Sequence, residues 1–140
     1  MTNFEIDRCL ESMVLLVDTR EQPTERMKRR LETTGLPYVR QKLDAGDYSC
    51  RCTMPCGKEL DFSSRVAVER KMNLDELCLC FGRERPRFER EFERAAGRGC
   101  RIYLLVEGGS WEKAYAGRYR SLLSPKALVA SIEAFRARYG

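Results

Sequence analysis

The sequence predicts an α/β domain, and three observations predict it. Two continuous apolar runs, Met13-Val14-Leu15-Leu16-Val17 and Ile102 to Val106, have the form of strands buried on both faces. Segments with helical periodicity, each with recognisable start and stop residues, lie between and after them. The middle of the chain reads as short strands divided by turn residues, an antiparallel meander. At 140 residues the chain is expected to be one domain, residues 1–140, with a single core.

Composition narrows the function classes. The chain is 43% apolar and 34% charged, with a formal net charge of +5, which favours a polyanionic partner without demanding one. It contains no histidine, so His-based triads, the HExxH zinc motif and a His general base are excluded. Met1 to Ser12 carries Glu5, Asp7, Arg8 and Glu11 without an apolar run, so no signal peptide is expected there. No stretch approaches the roughly 18–20 apolar residues of a membrane span. Seven cysteines without an export signal are expected to be reduced thiols, and the chain is expected to be cytoplasmic.

The elements follow in order. Met13 to Val17 is a buried strand ending in the charged burst Asp18-Thr19-Arg20-Glu21. Pro23 is read as the first residue of a helix that runs to about Thr34, buries Met27 and Leu31 and stops at Gly35. Lys28-Arg29-Arg30 is its basic outer face, read as solvated in preference to a backbone-phosphate contact. Pro37 to Leu43 is a second strand, Asp44 to Asp47 a turn, and Tyr48 to Cys52 a third strand. After a turn at Pro55 to Lys58, Leu60 to Ser63 pairs back and Val66 to Glu69 continues it. Asn73 with Glu76 forms a capping-box pattern for a helix that buries Leu74, Leu77, Cys78 and Phe81 and breaks at Gly82. Pro86 opens a second helix with Phe88, Phe92 and Ala96 on one face and Gly97 as its stop. Its arginines and glutamates suggest surface ion pairs, although those before Pro86 lack obvious partners one turn away. Ile102 to Val106 is a strand ending in Glu107. Ser124-Pro125 starts the last helix, with Leu128, Ile132 and Phe135 as its core stripe.

The chemistry-bearing stretch is Val66-Ala67-Val68-Glu69-Arg70-Lys71, with Asp75 following. Side chains alternate along a strand, so Glu69 and Lys71 share a face at a strand end, where open α/β sheets place their sites. Asp18, Asp47 and Glu69 each follow an apolar or strand-like segment. Carboxylates of this kind can hold Mg²⁺ while the lysine orients water or holds a phosphate oxygen. A salt-bridged strand end satisfies the same spacing, and both readings stand on the residues alone.

Taken together, Val17-Asp18-Thr19-Arg20-Glu21, Ala45-Gly46-Asp47-Tyr48 and Val68-Glu69-Arg70-Lys71 with Asp75 resemble the nuclease domain of the XPF family, which includes the archaeal Hef nuclease. The shared signature is Gly-Asp, a variable gap, Glu-Arg-Lys, three residues and Asp, and the resemblance covers roughly residues 13–136. It implies a restriction-endonuclease-like α/β core, with a central mixed sheet flanked by helices. The activity it implies is Mg²⁺- or Mn²⁺-dependent cleavage of branched, flapped or forked DNA in repair or recombination. On this resemblance Asp47 and Glu69 are the primary metal ligands, Asp18 a further acid at the metal, and Lys71 the catalytic lysine. Arg20 and Arg70 contact DNA or brace the site. Glu21 and Asp75 complete the acidic cluster, and Arg83 and Arg87 are DNA-contact candidates. The implied partners are DNA and a second copy or partner subunit, with no membrane.

The chain also departs from fuller family members. It has no helix-hairpin-helix tail and no helicase segment, and it ends before the last strand and helix expected of the nuclease domain. It is therefore expected to resemble a small stand-alone nuclease of the kind found in bacteria and their phages, or a truncated one. The rival reading is a catalytically weak or inactive DNA-binding module that needs a partner chain. A nucleotide-binding enzyme is poorly supported, because the sequence has no GxGxxG or GxxxxGK loop. The spacings Cys50-x-Cys52-x-x-x-Cys56 and Cys78-x-Cys80 do not suit a structural zinc site. Trp111, after Gly108-Gly109-Ser110, is read as a loop anchor in preference to a base-stacking residue.

Overall fold

The computed structural model describes residues 1–140. The elements in chain order are α1 (Asn3–Glu11), β1 (Val14–Val17), α2 (Glu25–Thr34), β2 (Tyr38–Arg40), β3 (Tyr48–Thr53), β4 (Glu59–Asp61), β5 (Val66–Lys71), α3 (Leu74–Phe81), α4 (Arg85–Gly97), β6 (Arg101–Val106), α5 (Trp111–Tyr115) and α6 (Pro125–Tyr139). The six strands form one mixed sheet in the order β2-β1-β3-β5-β6, with β4 paired to β3. The chain divides into two compact units, Met1–Val68 and Glu69–Gly140, so β5 gives its first half to one and its second half to the other.

In the first unit β1 is central. It pairs parallel with β2 (Leu15 opposite Tyr38) and antiparallel with β3 (Val14 opposite Arg51, Val17 opposite Tyr48). The expected meander is thus corrected at its start, because β2 joins the sheet beside β1. From β3 onward the reading holds. Arg51 of β3 faces Asp61 of β4, and Tyr48 faces Val68 of β5. Phe62 to Arg65 bulge out between β4 and β5, closed by the Arg65 N–H and Val66 N–H donating to the Phe62 carbonyl at 2.8 and 2.9 Å. The core here is small: Val17, Met27, Leu31 and Tyr48, with Leu15 and Val68 packed against them.

α2 begins two residues later than Pro23 suggests. Thr24 is its N-cap and accepts from the Met27 N–H, so Pro23 lies outside the helix. Gly35 ends it at φ 66°, as a left-handed cap requires. α1 has no counterpart among the sequence expectations. A capping box of Thr2 and Glu5 starts it, and Cys9 is its one buried residue. The Ser12 hydroxyl ties its end to β3, donating to the Thr53 carbonyl and accepting from the Thr53 N–H.

The second unit holds the larger core. Phe81, Phe88, Phe92 and Phe135 meet mostly edge to face at 4.9–5.7 Å, with Leu77 and Leu128 buried among them. Asn73 caps α3 by accepting from the Glu76 N–H, but the Glu76 carboxylate returns to the Met72 N–H, so the capping box is only half formed. Gly82 separates α3 from α4 at φ −101°, ψ −111°, a break the sequence announced. Three expectations are corrected in α4. Ala95 and not Ala96 is buried with Phe88 and Phe92. Arg85 pairs with Glu89 one turn on at 2.9 Å, and the helix runs through Gly97. Ser124 caps α6 with Pro125 in its first turn, as read.

All seven cysteines are free thiols; Cys56 is exposed, Cys50 intermediate and the other five buried. Burial pushes the Cys80 thiol up to about 11, and burial together with the neighbouring Cys9 does the same to Cys52. No helix is long and apolar enough to cross a membrane.

Replacing Gly46 meets both strain and a backbone wall. It stands at φ 67°, and a Cβ there would lie 2.9 Å from the Ala67 Cβ and 2.9 Å from the Val68 carbonyl oxygen. Gly46→Ala should lose about 1–3 kcal/mol of stability, from overpacking and the unfavourable φ together. Urea unfolding monitored by circular dichroism checks this, and an unchanged midpoint would refute it.

Candidate active site

Each unit carries its own set of charged residues at strand ends. In the first unit the β1 strand ends at Asp18, which is 1% exposed. Its carboxylate accepts four hydrogen bonds: from the Arg20 N–H (2.7 Å), Arg20 Nε (2.7 Å), Arg20 Nη2 (3.1 Å) and the Leu43 N–H (2.7 Å). Burial alone would push this carboxyl up, but the Arg20 guanidinium and the two amide donors outweigh it and hold it below its ordinary value. Arg20 also donates to the Leu43 carbonyl, so the pair pins the loop that leads to Asp47. The Asp18–Arg20 pair thus ties the end of β1 to the Leu43 backbone.

Asp47 sits between two strands through its own backbone. The Asp18 N–H donates to its carbonyl, and its N–H donates to the Val68 carbonyl, both at 2.8 Å. Gly46 makes this close approach sterically feasible. Glu21 is half-buried. Its Oε1 accepts from Arg30 at 3.3 Å and from the Tyr48 hydroxyl at 3.0 Å. Arg30 also donates to the Tyr48 hydroxyl oxygen. Burial, reinforced by the Glu21 charge, pushes the Tyr48 phenol up to about 12. The expectation that Arg30 lies on a solvated helix face is thus corrected: it is an inward strut of a Glu21–Arg30–Tyr48 cluster. Sequence reasoning missed both Arg30 and Tyr48. The partner of Arg30 lies 18 residues on, outside any local pattern.

In the second unit Glu69 and Lys71 meet as strand alternation predicts, with Oε1 and Nζ 2.6 Å apart and both side chains largely covered. Lys71 Nζ also stands 5.1 Å from the centre of the Phe88 ring, within cation–π range. Burial would lower the Lys71 amine, but the Glu69 carboxylate prevails and raises it. On the opposite strand face Arg70 reaches Glu107 at 3.3 Å, and the Glu107 N–H donates to the Lys71 carbonyl. Glu107 is a functional candidate that sequence reasoning placed at a strand end without a role. The signal was the same as for Asp18, an acid closing an apolar strand.

Arg87 and Lys71 line one pocket of about 220 Å³, together with Glu76, Glu84 and Phe88. Arg87 also reaches Glu91 at 3.4 Å, and Arg83 is exposed on the turn between α3 and α4. Asp75 does not close the α3 N-terminus, a task that falls to Asn73. Its Oδ1 accepts from the Arg120 and Ser121 N–H groups at 2.7 and 2.9 Å. Desolvation works against its charged form, but these amides and the Arg120 guanidinium hold the carboxyl below its ordinary value. Chemically, Asp47 and Glu69 offer carboxylate oxygens, the donor type that suits a small hard divalent cation.

The ERCC4 domain family matches residues 17–140, and the chain belongs to that family. It is an XPF-type nuclease domain with a restriction-endonuclease-like fold. Among solved structures it is similar to XPF from Aeropyrum pernix, at 25% identity and a TM-score of 0.60. That match covers 91% of this chain and 50% of the other, so the chain spans about half the length of that protein. No curated protein sequence matches the chain.

Removing the buried Asp18 carboxylate would strand the Leu43 N–H. Asp18→Ala should therefore cost about 1–3 kcal/mol in urea unfolding at neutral pH. Because the folded carboxyl lies below its ordinary value of 3.8, its contribution is complete above that value and disappears as pH falls through the folded one. The gap between wild type and Asp18→Asn should accordingly narrow on acidification below about pH 4. A gap that widens there would contradict this.

Proposed function

We propose that this chain is an endodeoxyribonuclease that uses Mg²⁺ or Mn²⁺ to cut branched, flapped or forked DNA in repair or recombination. The observation that carries the reading is the covered Glu69–Lys71 pair at the end of β5. It falls in the Glu-Arg-Lys motif and within the stretch matched by the ERCC4 domain family. Asp47 and Glu69 are the carboxylates that would hold the cation, whose chemistry when bound is to acidify water and offset charge on the phosphate.

This chain's own groups do the rest. Glu69 orients the Lys71 amine, and the Phe88 ring limits its travel. Lys71 then donates to an oxygen of the scissile phosphate. Arg70, held by Glu107, and Arg20, held by Asp18, brace the two strand ends. Glu21 is steadied by Arg30 and Tyr48, and Asp75 fixes the Arg120–Ser121 loop. Arg83 and Arg87 meet backbone phosphates, so binding should weaken as salt rises.

One observation favours the second reading, a DNA-binding module with weak or no catalysis of its own. The Asp18 carboxylate is fully engaged by Arg20 and Leu43, which leaves one acid fewer for a cation.

The test is cleavage of end-labelled forked, flapped and plain duplex DNA with Mg²⁺ or Mn²⁺. Glu69→Gln, Asp47→Asn and Lys71→Ala should each cut slower by on the order of a hundredfold or more while still binding DNA, and a chelator should abolish cutting. DNA that is bound but never cut by wild type would favour the second reading. Cutting undiminished in both acid variants would overturn the proposed roles.

A further inference from the structure

We propose that the apolar groove beside Trp111 receives one unpaired nucleobase of the substrate, stacked on the indole; this rests on the nuclease reading above and names the part of the substrate that the reading leaves open. The groove has a volume of about 280 Å³ and is floored by Leu77, Leu104, Val106 and Ile132. Trp111 forms its rim at the start of α5 and is 49% exposed. Trp is usually much more covered than this, because its large ring gains most from leaving water. Tyr115, one turn on, is 64% exposed, and its ring centre lies 6.1 Å from that of Trp111. Two neighbouring π surfaces thus face water at the edge of an apolar cleft. A cleft of this size admits a single planar heterocycle.

Charge identifies the occupant. Between Gly108 and Lys126 the chain carries Lys113, Arg118, Arg120 and Lys126; Arg118 pairs with Glu112 at 2.9 Å and Arg120 with Asp75 at 3.4 Å, and Lys113 and Lys126 leave the stretch with a net cationic excess. An apolar peptide would fill the groove but draw nothing from that cationic excess. A nucleotide uses both features: its base lies on the ring and its phosphate meets the cations. Asp75 keeps the loop in place by accepting from the Arg120 and Ser121 N–H groups. Stacking is tolerant of base identity, since every base has a π face, so the groove reads single-strandedness and not sequence. A base in a closed duplex would first have to leave its stack.

Trp111 is the only tryptophan of the chain, so its emission reports the groove directly. The intact protein, with a chelator present to stop cleavage, is titrated with oligothymidylate of about ten residues, a forked duplex and a blunt duplex. Anisotropy of labelled DNA measures occupancy in parallel. Oligothymidylate and fork should quench the emission, and blunt duplex at equal occupancy should not. Trp111→Leu keeps an apolar side chain but removes the ring. It should weaken oligothymidylate binding on the order of ten- to a hundredfold while changing blunt-duplex binding by less than about twofold, with the fold checked by circular dichroism. Single strands that bind without altering the emission would overturn the proposal. So would blunt duplex that quenches equally, or a leucine variant that binds single strands like wild type. An emission change that follows protein concentration without DNA would assign the groove to a second copy, and also overturn it. Forked DNA cut in Mg²⁺ while the emission stays silent defeats this inference alone. No binding to any DNA defeats the nuclease reading as well.

Discussion

The peptide of Asp47 holds two strands at once, and the first unit depends on it. Its carbonyl accepts from Asp18 at the end of β1, and its N–H donates to Val68 in β5. A side chain at the preceding position would push these strands apart, which is why Gly46 is required there. The Gly-Asp pair of the motif is therefore a steric condition as much as a chemical one. The glycine lets the backbone close, and closure sets where the acid stands. The neighbouring Asp18–Arg20–Leu43 bracket holds the incoming loop in the same place. These bonds fix the backbone of Asp47 and the loop before it on the β1 side.

The same logic recurs at the end of β5, with different materials. Glu69 and Lys71 hold each other by charge, and the Phe88 ring adds a soft wall. Arg70 points the other way and is met by Glu107. Three consecutive charged residues thus find separate destinations because strand side chains alternate. Their partners come from α4 and from the end of β6, so the end of β5 is stiffened by elements distant in sequence.

Much of this could be read from the residues. Strands β1, β3, β5 and β6 are apolar or alternating runs with charged ends, and the stops at Gly35 and Gly82 and the start at Ser124 are local backbone chemistry. The pairing of Glu69 with Lys71 follows from strand geometry alone. What escaped was tertiary. β2 is three residues long and lies parallel to β1, an arrangement no local pattern specifies. α1 buries only Cys9, too little to make a periodic signal. Arg30 looked like one more solvated cation until Glu21 and Tyr48 surrounded it. The partners of Asp75, the amides of Arg120 and Ser121, lie 45 and 46 residues on, outside any local pattern.

The uneven burial of the thiols has a practical consequence. Alkylating reagents attack thiolates, and a covered sulfur held in its protonated form reacts slowly. Cys52 and Cys80 are such sulfurs, and Cys56, on the turn between β3 and β4, is the only fully exposed one. The native chain therefore carries its own attachment point. A maleimide dye or a nitroxide spin label would enter at Cys56 first, without mutagenesis, on the hairpin tip between β3 and β4.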